Sequence, residues 1–201
     1  GVSHETPNTQ TPTQSDVRLW LDASQLTTLA DGDAVNEWND ISFSSLNDKG
    51  FREPSDNFLA PYFRDDASAS INGYPVVTFE DGRMLKVNSS DDLNTSITTT
   101  YEQTMIFAFR TSEDVTSRQV IWEEGGGWRG LNAYIFNGEI YLGAYDNHVD
   151  NDPGSPDVPA FGYNYVKSPI QPYTTYVLSH VFMAPSDNSL TGDVKGYQNG
   201  Y

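Results

Sequence analysis

The chain has no cysteine, so neither a disulfide framework nor a zinc–thiolate site is available to it, and its fold must rest on packing, helped by bound metal if any is present. It is poor in positive charge. Eleven Lys and Arg stand against 28 Asp and Glu, and the resulting net charge of −17 repels phosphate backbones and anionic lipid headgroups. Nucleic acid and membrane surfaces are excluded as expected partners. No apolar run approaches the roughly 20 residues that cross a bilayer as a helix, so membrane insertion by that route is not expected. The N-terminus shows no charged start followed by an apolar stretch. The expectation is a soluble chain with any export signal lying outside it. Sustained helical periodicity is also missing: no window keeps apolar residues at i, i+3, i+4 and i+7 beyond about two turns.

What is present is period-two patterning between turn residues, which makes the chain all-β. At 201 residues and 37% hydrophobic content it is sized for one large sandwich. Residues 1–15, GVSHETPNTQTPTQS, contain one aliphatic side chain and are rich in Thr, Pro, Gln and Ser, so they read as a flexible linker to other domains of a larger parent protein. The domain itself is expected over residues 16–201. Expected strands are Val17–Leu21, Val76–Phe79, Thr104–Arg110, Gln119–Glu123, Leu131–Phe136, Glu139–Tyr145, Thr175–Phe182 and Gly192–Tyr197.

The segment LNAYIFNGEIYLGAY, Leu131 to Tyr145, carries the strongest local signal, because Asn-Gly between two alternating runs marks a two-residue hairpin turn. That turn fixes the register. It pairs Phe136 with Glu139, Ile135 with Ile140, Tyr134 with Tyr141, Ala133 with Leu142, Asn132 with Gly143 and Leu131 with Ala144. Directly paired residues share a face. One face then holds Leu131, Ala133, Ile135, Ile140, Leu142 and Ala144 and is core. The other holds Asn132, Tyr134, Phe136, Glu139, Tyr141 and Tyr145, an aromatic and polar surface fit to meet a ligand or a covering loop.

Several stretches together resemble the laminin G-like, concanavalin A-like jelly-roll modules of large bacterial surface proteins. They are RLWLDAS at Arg18–Ser24, VNEWNDIS at Val35–Ser42, GYPVVTF at Gly73–Phe79, QVIWEEGGGWRGLNAYIFNGEIYLGAY at Gln119–Tyr145 and TGDVKGYQNG at Thr191–Gly200. The resemblance implies two antiparallel sheets stacked as a jelly-roll sandwich, with binding by rim loops or a concave face. It also implies an extracellular or cell-surface setting. Such modules continue for a few strands beyond the point matched by Asn199-Gly200, so the resemblance implies closing strands after Tyr201.

Two site expectations follow. The loop DNHVDNDPGSPD gathers Asp146, Asp150, Asp152 and Asp157, whose carboxylates suit a hard, oxygen-loving cation, so calcium is the expected cofactor; a plain solvated acidic loop is the equal alternative. Around the hairpin, Trp128, Arg129, Tyr134, Tyr141, Tyr145 and Glu139 offer aromatic faces, a planar guanidinium and a carboxylate, which suit a glycan or a surface-protein ligand. Trp122, Trp20 and Trp38 are expected to pack, and Asp22 and Asp40 to cap local backbone.

Catalysis is not expected. Glu123 and Glu124 are adjacent, so a regular strand sends them to opposite faces, whereas the carboxylates of a retaining glycosidase sit about 5 to 5.5 Å apart on one. The reading is a non-catalytic recognition module for adhesion, calcium-assisted. The alternatives are a structural spacer without ligand and a glycan-active hydrolase or lyase, the latter drafting His148 or His180.

Overall fold

A computed structural model describes residues 17–42, 51–52, 59–80, 82–86, 102–125, 129–146, 163–183 and 193–200, with the backbone alone at 51–52, 125, 129, 145–146 and 163. The expected linker lies outside these residues. Among the described residues eleven strands and a single 3₁₀ turn are formed, and every pairing of these strands is antiparallel. Among the described residues there is no α-helix, so the chain is all-β. It divides into two compact units, Gly1–Leu93 and Asn94–Tyr201.

In the first unit β1 (Glu37–Trp38) pairs with β2 (Phe51–Arg52), and β3 (Tyr62–Arg64) with β4 (Val76–Thr78). Pro61 carries no N–H, so strand β3 begins after it. The preceding segment is zipped to residues 32–35 by Val35 N–H to the Pro61 carbonyl (2.8 Å) and Phe63 N–H to that of Asp33 (2.9 Å). Val35, Ala60, Pro61 and Phe63 are buried there. The Arg83 guanidinium lies 3.9 Å over the Tyr62 ring and donates to its hydroxyl at 2.6 Å.

Residues 17–21, expected as a strand, join no ladder. One aspartate does the work instead: Asp40 Oδ1 accepts from the Trp20 N–H (2.8 Å) and from its own Ser42 N–H (2.9 Å). The backbone-capping role expected of Asp40 therefore holds, as does that of Asp22, whose Oδ1 accepts from Ser24 N–H at 2.9 Å over the 3₁₀ turn Ala23–Gln25. Trp20, expected to pack, is 45% exposed, because without a ladder nothing presses its ring onto a sheet.

The second unit holds β5 (Glu102–Arg110), β6 (Gln119–Gly125), β7 (Arg129–Phe136), β8 (Glu139–Asp146), β9 (Tyr163–Pro169), β10 (Thr175–Met183) and β11 (Asp193–Gln198). They make a three-stranded sheet in the order β11-β10-β5 and a four-stranded sheet in the order β6-β7-β8-β9. Ala133, Ile135, Ile140 and Leu142 of the larger sheet meet Tyr176 and Leu178 of the smaller in one core, flanked by Phe107, Phe109, Trp122 and Val166. The sheets thus stack face to face. Each buried aliphatic side chain in such a core contributes about 1.5–3 kcal/mol. β11 lies at the edge of its sheet, with β10 as its strand partner among the described residues.

The β7–β8 hairpin turns at Asn137 (φ 52°) and Gly138 (φ 76°). Two consecutive left-handed residues match the right-handed twist of the strands they join, which is why Asn-Gly serves here. Every residue pair expected from that turn is present. The turn is also anchored from outside, since Asn137 and Gly138 donate their N–H groups to the Thr116 and Val115 carbonyls at 3.0 and 2.8 Å.

Candidate functional site

Strand alternation sends Tyr134, Glu139 and Tyr141 to the face of the larger sheet opposite the core. Register then lines up Val120, Tyr134, Tyr141 and Lys167 across β6 to β9, with Glu123, Asn132, Gly143 and Tyr165 in the next row. The Tyr134 and Tyr141 rings stack nearly parallel, 2° apart in plane with centroids 4.8 Å apart. Tyr165 tilts against Tyr141 at 5.4 Å.

The polar part of the face is built on Glu139. Its Oε2 accepts from the Lys167 ammonium at 2.7 Å and from the Tyr141 hydroxyl at 3.0 Å. The Lys167 hydrogen bond holds the Glu139 carboxyl below its ordinary range and lifts the lysine above its own. Burial, then the bond to Glu139, pushes the Tyr141 hydroxyl up. The trio is therefore a fixed anion, cation and neutral hydroxyl at neutral pH.

Cations roof the rings. Lys167 Nζ stands 5.6 Å from the Tyr141 ring, and the Arg118 guanidinium 5.4 Å from Phe136 and 5.8 Å from Tyr134. Tyr134 and Tyr141 are consequently 6% and 9% exposed, buried where a surface was expected. The accessible members are Tyr165, 41% exposed, Lys167 and, in part, Glu139. Tyr165, Lys167 and Arg118 are additions to the residues singled out in the sequence. A signal for the first two exists, since Tyr163, Tyr165 and Lys167 recur at every second position.

Of the other expected ligand residues, Arg129 and Tyr145 lie on β7 and β8, where Arg129 pairs with Asp146 and Gly130 with Tyr145 in the backbone register. Trp128 lies outside the described residues, as do Asp150, Asp152 and Asp157; Asp146 ends β8 and is described by its backbone. Among the described residues no group of three or more His, Asp or Glu is placed to hold a metal ion.

Glu123 and Glu124 diverge as strand geometry requires. Glu123 is exposed, while Glu124 turns inward and accepts at Oε2 from Gln103 Nε2 (3.0 Å) and Trp122 Nε1 (3.2 Å). Burial raises its pKa against those two bonds. Comparison with family models, curated proteins and solved structures returns no match.

Proposed function

We propose that this chain is a non-catalytic recognition module of laminin G-like, jelly-roll type, carried by an exported or cell-surface protein and binding a glycan for adhesion. The observation that carries the reading is the aromatic face: a stacked tyrosine pair continued by a half-open Tyr165 beside a fixed Glu139–Lys167 pair. Sugars offer an apolar ring face and a rim of hydroxyls, and an aromatic ring beside paired charges matches both. Tyr165 is the stacking contact in this reading, and Lys167 and Glu139 are the hydroxyl partners. Calcium, held by Asp146, Asp150, Asp152 and Asp157, organises the loop that follows β8. The inward turn of Glu124 puts it on the opposite face from Glu123, so these two carboxylates cannot act as a pair on one substrate, which favours binding over hydrolysis.

A spacer domain without ligand is the second reading, favoured by the burial of Tyr134 and Tyr141. A glycan array with and without chelator separates the two. Binding that falls at least tenfold in Tyr165→Ala and weakens with chelator is expected. A blank array, with a melting temperature indifferent to calcium, overturns the recognition reading and leaves the spacer; protein capture that survives Tyr165→Ala moves the site off this face.

A further inference from the structure

His180 lies on β10 in the same alternation as the core residues Tyr176 and Leu178, and it is fully buried. Among the described residues neither of its ring nitrogens has a hydrogen-bond partner. Its neighbours across the sheet are Met105 on β5 and Gly196 on β11. Gly196 brings no side chain, and Leu142 and Val166 of the facing sheet fill that space, to 2.8 and 2.9 Å of where a Cβ would stand. The imidazole therefore sits in an apolar seam between the two sheets. A neutral ring is tolerated there, but a cation would be cut off from water and, among the described residues, would have no counter-charge.

Two other titratable side chains among those described face this interior: Glu124 from β6 and Tyr176 from β10 itself. Glu124 is bonded to Gln103 and Trp122 and makes no ion pair with His180; the Tyr176 hydroxyl accepts from the Gln171 N–H at 2.8 Å. From β11, the Gln198 Oε1 is another buried atom without a partner among the described residues, beside Leu178 in the ladder, one step along from His180. β5, β7, β8 and β9 present uncharged side chains to the seam at their described inward positions. Among the described residues nothing stands ready to stabilise an imidazolium.

We propose that His180 makes the seam between the two sheets of this unit acid-sensitive: proton uptake by the ring is coupled to separation of the sheets, while the strands within each sheet stay paired. Desolvation lowers the ring's pKa from 6.5 to about 4. The folded state is thus the poorer proton binder. Its advantage is complete above pH 6.5 and is lost as the pH falls through about 4, a drop of roughly two orders of magnitude in the folding equilibrium constant. Glu124 acts in the opposite sense. Its raised pKa makes acidification remove a costly buried charge, so Glu124→Gln should deepen the net acid loss rather than relieve it.

The full chain has three histidines, His4, His148 and His180, so imidazole signals can be assigned by NMR. Urea unfolding is followed by near-UV circular dichroism from pH 7 to 4, with dye binding to report an opened core. In the wild type the folding constant is expected to fall about a hundredfold more than in His180→Phe, and the His180 signal to move only as the near-UV signal collapses. Equal acid loss in the two proteins overturns the proposal. If His180→Phe does not fold, the wild-type NMR titration decides alone: a ring that titrates inside an intact fold, near 6.5 or lower, overturns it, and one that titrates only with opening supports it.

Discussion

Gly196 shows how one absent side chain places two sheets. Its hydrogen atom leaves room that Leu142 and Val166 occupy from across the core, both closer than real Cβ contacts allow. Leu142 is itself buried and cannot swing away. Gly196→Val is therefore expected to cost about 1–3 kcal/mol through overpacking, with Gly196→Ala intermediate, read as a lowered urea midpoint at unchanged slope. A midpoint that does not move would mean the sheets are free to slide apart at β11. The sequence places this glycine inside the expected strand Gly192–Tyr197 but not what lies opposite it; the requirement comes from the facing sheet, about which TGDVKGYQNG is silent. The same holds for His180, which the alternation of β10 places inward but whose missing partners are a matter of what surrounds it.

At the scale of elements, alternation and turn chemistry carried most of the second unit. The β7–β8 register was legible because Asn137-Gly138 permits one pairing, and a slip by one residue would expose Ile135 and Ile140. A paired test follows from it. Ile140→Ala, at a fully buried position, is expected to cost about 2–5 kcal/mol, whereas Ile106→Ala, 65% exposed on the outer face of β5, should stay within about 0.5 kcal/mol by thermal melting. Equal losses would put both residues in a core and refute the face assignment. β9 was not read as a strand: in YNYVKSP a lysine, a serine and a proline follow the β-favouring Tyr163, Tyr165 and Val166, and the ladder to β8 carries the extended form through to Pro169. Residues 17–21 fail the other way, apolar enough for a strand yet held by Asp40. For the candidate face, the register placed Tyr134, Tyr141 and Glu139 together, but their cover comes from Arg118 and Lys167 on distant segments, which no local pattern encodes.

Over the whole molecule the uncompensated charge dominates. Against a net −17 there are only 11 Lys and Arg to pair with 28 acids; ion pairs that form include Arg64 with Asp31 and Asp66, Arg83 with Glu80, and Lys167 with Glu139, each with at least one partner a third or more exposed. Exposed pairs of this kind contribute about 0–1 kcal/mol each and lose part of that to salt, while the repulsion among the remaining acids is screened by the same ions. Repulsion has the larger number of participants. Raising sodium chloride from about 0.01 to 0.3 M, a range over which the screening length shrinks from about 30 Å to well under 10 Å, is therefore expected to raise the melting temperature. A fall would show that the ion pairs outweigh the repulsion among the excess of acids. The hairpin of β7 and β8 has a different bearing on the molecule's history. Ile135, Ile140 and Leu142 fill one side of it and Tyr134 and Tyr141 are enclosed on the other, so these strands have no idle side on which substitutions could accumulate harmlessly. Divergence among descendants of this chain is steered away from the hairpin and onto positions such as Ile106, Val120 and Val177, whose side chains face water.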